Sequence, residues 1–125
     1  MNQELFDKGL ELRRKVLGKE FVDAGMKAAD DFTRPIQELI TEYCWGEMWS
    51  RPGLDLRTRS LLNLGIATAL NRSGEVKLHV RGAINNGVTK EQIQEVFLQT
   101  AIYCGVPAAF DSFRLAKETF AELGV

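Results

Sequence analysis

The sequence predicts an all-α fold of about six helices joined by short turns. Apolar residues recur at the three- and four-residue spacing of a buried helix face in nearly every segment. No segment shows the period-two alternation of a strand or the residues of a hairpin turn. A chain of 125 residues suffices for one ordinary hydrophobic core. We therefore predict a single domain over residues 1–125.

Three helices are predicted in the first half of the chain. The first ends at Gly18, since glycine suits a left-handed helix end. Its apolar stripe consists of Leu5, Gly9, Leu12, Val16 and Leu17. A second amphipathic segment runs from about Lys19 to Asp31. The third begins near Pro35, a favourable first-turn residue, and carries apolar residues as far as Cys44.

The strongest turn in the chain, Ser50-Arg51-Pro52-Gly53, precedes a helix that is apolar on nearly every side. Asp55 can cap this helix, and Leu61 to Leu70 form its apolar part. A small monomer cannot bury every side of one helix. We therefore expect a central helix that packs on both sides, including against another subunit.

Three more helices follow. The first of them contains His79 and ends at Gly87. The next begins at Thr89, which forms a capping box pattern with Gln92. Gly105-Val106-Pro107 ends that helix, and Pro107 can open the last one.

Composition excludes several functional classes. Sixteen basic and seventeen acidic residues nearly cancel, so neither nucleic acid nor an anionic membrane is an expected partner. No apolar run approaches the roughly 18 to 20 residues of a membrane span. The amino terminus lacks the basic start and apolar stretch of a signal peptide. Two widely separated cysteines and one histidine predict no metal site and suit a reducing cytoplasm.

His79, the only histidine, is the first candidate for chemistry. Helical spacing places it on an apolar face with Val76, Val80, Ala83 and Ile84. Burying an imidazole is costly unless its nitrogens find partners. Two interpretations follow: a satisfied core histidine, or a proton-transfer group that titrates near neutral pH.

Glu47 is the second candidate, because it lies between Trp45 and Trp49 in sequence. Desolvation by these rings would raise the pKa of its carboxyl group and make it a usable proton donor. In the alternative interpretation Glu47 is exposed at a helix end and only the tryptophans are buried.

Arginines near these segments are candidates for carboxylate binding, since guanidinium binds carboxylates in bidentate fashion. Arg51 and Arg72 are the best placed of them. Tyr103 and Cys104 are further candidates for substrate contact, although Cys104 falls on the apolar face of its helix and suits inert packing.

Three segments resemble the carboxymuconolactone decarboxylase family: residues 43–54, 79–89 and 98–109. The resemblance covers nearly the whole chain. It implies an alkylhydroperoxidase D-like all-α fold assembled as a homohexamer or a higher oligomer. It also implies a cofactor-free step of the β-ketoadipate pathway of protocatechuate degradation. In that step γ-carboxymuconolactone loses carbon dioxide and gives 3-oxoadipate enol-lactone.

A thiol peroxidase branch of the same superfamily uses Cys-x-x-Cys, with a histidine four residues after the second cysteine. Here Arg72 and Glu75 occupy the two cysteine positions, so this redox cycle is excluded. After Pro107-Ala108-Ala109 the chain continues with a bulky Phe110 and an acidic Asp111, which could alter substrate choice if they line the pocket.

The hypothesis for the reaction is that a dicarboxylate lactone provides its own electron sink, so no cofactor is needed. His79 is the preferred general acid, and Glu47 is its partner or the oxyanion donor. Arg51 or Arg72 anchors the side-chain carboxylate, and the tryptophans form one wall. This predicts that His79 and Glu47 meet in one dry cavity. Alternatives are a related decarboxylase or isomerase of another lactone, and a non-catalytic oligomer that binds small acids.

Overall fold

A computed structural model describes residues 1–125, and every regular element in it is helical. The all-α prediction is confirmed. The chain forms seven α-helices and one π-helix, rather than about six helices. It divides into two compact units, Met1–Asp55 and Leu56–Val125, and the single domain over residues 1–125 stays a prediction. None of the helices is both long and apolar enough to span a bilayer.

The first unit contains α1 (Gln3–Leu17), α2 (Lys19–Ala28), α3 (Arg34–Leu39) and the π-helix (Ile40–Met48). Asn2 caps α1 by accepting a hydrogen bond from the Leu5 amide. Gly18 ends α1 as predicted, with a φ of 98° that favours glycine.

Two of the predicted elements differ in the structure. The second helix ends at Ala28, three residues before Asp31, because Asp30 instead accepts hydrogen bonds from the Phe32 and Thr33 amides and starts a turn. The third predicted helix is α-helical only as far as Leu39 and continues as the π-helix.

The π-helix packs against α1 along a backbone contact that only glycine permits. Gly9 of α1 and Gly46 of the π-helix are both buried. A Cβ added at Gly9 would overlap the Thr41 carbonyl oxygen, and one added at Gly46 would overlap the Leu5 carbonyl oxygen. Close approach of two helix backbones therefore fixes the position of the π-helix within this unit.

Arg13 connects the helices of the first unit. Its guanidinium donates hydrogen bonds from Nη1 to Gln37 Oε1 at 3.0 Å and to Thr41 Oγ1 at 3.2 Å, and it contacts the sulfur of Met26 at 3.5 Å. One side chain of α1 thus reaches α2, α3 and the π-helix.

The second unit contains α4 (Leu56–Ala69), α5 (Ser73–Asn85), α6 (Lys90–Cys104) and α7 (Val106–Leu123). Helices α5 and α6 each pack against both α4 and α7. Its core is formed by buried apolar residues: Leu64, Ala67, Val76, Val80, Ala83, Val88, Ile93, Phe97 and Ala116. The capping box of Thr89 and Gln92 at the start of α6 is confirmed.

Helix α4 is buried on one face only. Leu64 is completely buried, whereas Leu62 and Ile66 are 52% and 47% exposed in the protomer. Another subunit on this face stays a prediction.

Candidate active site

Helix α5 carries His79 into the interior of the second unit, as its apolar spacing predicted. His79 is buried, and so are its helix neighbours Val76 and Val80, which belong to the core. Helix α5 begins at Ser73, and the helical register then places Glu75 one turn before His79 on the same side.

One nitrogen of His79 faces two polar groups. Its Nε2 lies 3.4 Å from Nδ2 of Asn63 on α4 and 3.7 Å from Oε2 of Glu75. The Asn63 amide N–H is a hydrogen-bond donor, whereas the Glu75 carboxylate is an acceptor. Neutral imidazole and imidazolium therefore each have a partner at the same atom.

Burial controls the charge of this imidazole. Desolvation lowers the pKa of His79 below its ordinary value, and the negative charge of Glu75 acts in the opposite direction. The Glu75 side chain is 58% exposed, so water screens its effect. The neutral form of His79 is consequently favoured near neutral pH.

Asn63 and Glu75 are partners of His79 that were not predicted from the sequence. Glu75 stands four residues before His79, which is the spacing of neighbours on a helix surface. Asn63 is the single amide in the apolar run from Leu61 to Leu70. Both signals were present in the sequence, but only helix packing shows that Asn63 faces α5.

The first unit holds Glu47 on the π-helix, between two buried tryptophans. Trp45 and Trp49 stack with ring centroids 4.4 Å apart and an interplanar angle of 20°. In a π-helix each backbone amide donates a hydrogen bond to the carbonyl oxygen five residues earlier, as the Trp49 amide does to the Cys44 carbonyl at 2.9 Å. Residues four apart are then nearly eclipsed, and the residue midway between them points to the other side.

Glu47 is accordingly exposed in the protomer, while both rings are buried. The expectation that these rings desolvate it is wrong for the isolated protomer, which follows the alternative interpretation. Glu47 belongs to the first unit and His79 to the second. A cavity shared by the two residues stays a prediction.

Of the predicted binding residues, Trp45 and Trp49 are buried in the protomer, and the others lie on its surface. Arg51 is exposed in the turn after the π-helix. Arg72 is the N-terminal flanking residue of α5 and borders a cleft of about 50 Å³, together with Asp111 of α7. Ligand pockets usually measure about 300 to 1,000 Å³, so this cleft by itself cannot hold a lactone.

Tyr103 and Cys104 line an open apolar groove of about 510 Å³ between α4 and α6, which His79 does not line. Cys104 is exposed, so its predicted inert packing within the protomer is wrong. The reason is that α6 ends at Cys104, where its surface meets solvent. Neither Cys104 nor Cys44 forms a disulfide.

Comparison with known proteins identifies the family. The sequence profile described as the carboxymuconolactone decarboxylase family matches residues 34–118. The chain belongs to this family. The match includes the π-helix, His79 and both of its partners, so the predicted family is confirmed and the predicted enzyme class, a carboxy-lyase, is supported.

Three curated proteins resemble this family member over nearly its whole length. Nitrosuccinic acid decarboxylase from Metarhizium robertsii is 46% identical over 98% of this chain and 86% of its own. 4-Carboxymuconolactone decarboxylase from Acinetobacter baylyi is 39% identical over 99% of this chain and 92% of its own. An uncharacterized 15.0 kDa protein from Paracoccus denitrificans is 30% identical over 96% of this chain and 90% of its own.

Proposed function

We propose that this protein removes carbon dioxide from a small dicarboxylic acid that carries its own electron sink, without a cofactor. The observation that carries the proposal is near full-length similarity to two decarboxylases with different named substrates, at 46% and 39% identity. Nitrosuccinic acid and γ-carboxymuconolactone share two carboxyl groups and an oxygen-containing group that accepts electrons.

The electron balance is the same for both substrates. The bond from the carboxylate carbon breaks, carbon dioxide leaves, and the electron pair moves to an oxygen of the nitro group or the lactone. A proton then adds to the carbon that lost the carboxylate or to a conjugated one. Each turnover therefore consumes one proton, which an acid of the protein must deliver.

His79 is the proposed acid. Because burial lowers its pKa, the resting protein holds it mainly neutral. A dianionic substrate beside the ring would favour the imidazolium form, since an opposite charge within about 4 to 6 Å stabilises a cation. Substrate binding is then expected to be accompanied by uptake of one proton.

The other predicted roles belong to the same proposal. Glu47 is the partner of His79 or the donor to the developing oxyanion, and Arg51 or Arg72 anchors the second carboxylate. Trp45 and Trp49 remain the proposed wall of the site, and their stacked rings are buried in the protomer. Tyr103 and Cys104 remain proposed substrate contacts.

The proposal is tested by supplying purified protein separately with γ-carboxymuconolactone and with nitrosuccinate while carbon dioxide release is recorded. Turnover of either substrate supports the reaction class and identifies the substrate. In the His79→Gln variant we expect kcat to fall about 10²- to 10⁴-fold while KM changes little. Tight binding of both acids without turnover would instead support a small-acid-binding protein.

Glu47→Gln tests the second role, because it keeps the side-chain shape and removes its charge. We expect a lower kcat and an altered pH profile. A variant with unchanged kcat and pH profile would remove Glu47 from the mechanism.

We also propose that the protein is a homohexamer or a higher oligomer located in the cytoplasm. Large apolar side chains of α4 and α6 are exposed in the protomer, including Leu62, Leu98 and Ile102, the last at 81%. Monomers rarely expose apolar patches larger than a few hundred Å². Light scattering should give a multiple of the 14.0 kDa chain mass, and Ile102→Glu should reduce it. A monomeric wild type at micromolar concentration contradicts this.

A further inference from the structure

The protonation of His79 is governed from two sides. Asn63 approaches Nε2 from α4, the helix packed beside α5, and Glu75 approaches it from the preceding turn of α5. We propose that Asn63 and Glu75 are positioning residues, the first holding the neutral imidazole of His79 and the second holding its imidazolium. This inference rests on the proposed function, in which His79 supplies the proton.

The donor and acceptor chemistry makes the two roles distinct. Neutral His79 with an unprotonated Nε2 can accept a hydrogen bond from the Asn63 amide. Protonation at Nε2 removes that acceptor and directs the new N–H toward the Glu75 carboxylate. The same atom thus exchanges one partner for the other when the proton arrives.

The different exposure of His79 and Glu75 fits a reaction that takes up one proton from solvent in each turnover. The His79 side chain is 10% exposed and the Glu75 side chain 58% exposed. One proton must enter from solvent in every turnover, because decarboxylation replaces a carboxylate by a hydrogen. Glu75 borders water and the buried ring, so it provides a carboxylate on the route by which His79 is reprotonated.

Lys77, another charged group of α5, is engaged with α7. Lys77, two residues before His79, is directed toward α7, where it forms ion pairs with Glu118 at 3.7 Å and Glu122 at 2.8 Å. From α4 it is the neutral amide of Asn63 that meets the ring. Glu75, whose Oε2 lies 3.7 Å from Nε2 of His79, is placed to stabilise the imidazolium.

The experiment uses the fact that His79 is the only histidine. Its ring resonances in an NMR pH titration need no assignment and report its pKa directly. Glu75→Gln should decrease the proton affinity of His79 about twofold to fivefold, the range for a partly exposed ion pair. Asn63→Leu keeps the bulk and removes the donor, so it should increase that affinity about twofold to tenfold.

Glu95→Gln is the matched control. It removes the same charge from an exposed position on α6 and should leave the titration of His79 unchanged. Equal shifts in Glu75→Gln and Glu95→Gln would mean that only net charge matters, and would overturn the inference. If neither Glu75→Gln nor Asn63→Leu shifts the titration of His79, the inference is overturned as well.

Kinetics separate this inference from the proposed function. If His79 is the acid, kcat falls as pH rises through its pKa, and Glu75→Gln should move that limb to lower pH with little change in KM. Shifted titrations in a protein that decarboxylates neither substrate would refute the function and leave the proton control standing. Turnover of either substrate, with a His79 titration that neither variant shifts, would support the function and refute the proton control.

Discussion

Replacing Gly9 by alanine tests whether backbone contact with α1 positions the π-helix that carries Glu47. The added methyl group would overlap the Thr41 carbonyl oxygen and lie 2.7 Å from the Gly46 nitrogen. Both obstacles are backbone atoms, so neither can move aside by changing a rotamer. The two helices must separate to accommodate it.

The size of the effect follows from two opposing terms. Overpacking a tight contact costs about 1 to 3 kcal/mol, and an immovable backbone favours the upper value. Alanine gains about 1 kcal/mol over glycine in a helix interior. The net loss is therefore about 2 kcal/mol. At about 4 °C per kcal/mol for a chain of this size, Tm should fall by about 8 °C.

Gly25→Ala is the control, since it makes the same chemical change within α2, where an added Cβ meets nothing within 4 Å. Its Tm should rise by up to about 4 °C, because only the helix-propensity gain operates. Thermal unfolding followed by circular dichroism at one fixed protein concentration measures both variants. The near-ultraviolet signal reports the stacked Trp45 and Trp49, the only tryptophans in the chain.

A Gly9→Ala protein that melts at or above the wild-type temperature with an unchanged tryptophan signal would contradict the positioning role of this backbone contact. Equal behaviour of the Gly9 and Gly25 variants would refute it too. Gly46→Ala provides an independent repeat from the other side of the contact, since its Cβ would overlap the Leu5 carbonyl oxygen.

Three further predictions concern the second unit. Thr68→Val should lower the free energy of unfolding in urea by about 1 to 3 kcal/mol, because it removes the buried hydroxyl that lies 2.8 Å from the Ser112 hydroxyl. Adding Ser112→Ala should restore much of this stability. A double variant as unstable as Thr68→Val would contradict the prediction. Thr89→Ala should cost about 1 kcal/mol through loss of the α6 cap, and an unchanged urea midpoint would contradict the capping role. The free energy of unfolding should fall as pH drops below the ordinary histidine pKa of 6.5, because burial lowers the pKa of folded His79 and the unfolded chain binds the proton first. His79→Gln should remove this dependence of stability on pH. If the dependence persists in the variant, other groups cause it.

Several elements could be predicted because their signals are local. Gly18 ends α1, and Thr89 with Gln92 caps α6, since each depends on residues within one turn. The burial of His79 followed from apolar spacing along a single helix. The surroundings of its ring could not be predicted in this way, because Asn63 is sixteen residues away and reaches it only through helix packing.

The π-helix is a second feature that could not be predicted from the sequence. Apolar spacing from Pro35 to Cys44 indicated one continuous α-helix, and a π-helix shares that composition. The contact between α1 and the π-helix accompanies the change in hydrogen bonding, and in this segment Glu47 is exposed while Trp45 and Trp49 are buried.

The all-α class, the principal helix boundaries and the family follow from the order of the amino acids, because helix caps, apolar periodicity and residue motifs are encoded within short segments. Packing of the folded helices was needed to find which polar groups meet His79 and to show that Glu47 is exposed. Hydrogen-bond partners and backbone contacts between helices depend on distances through space, and spacing along the chain does not specify those distances.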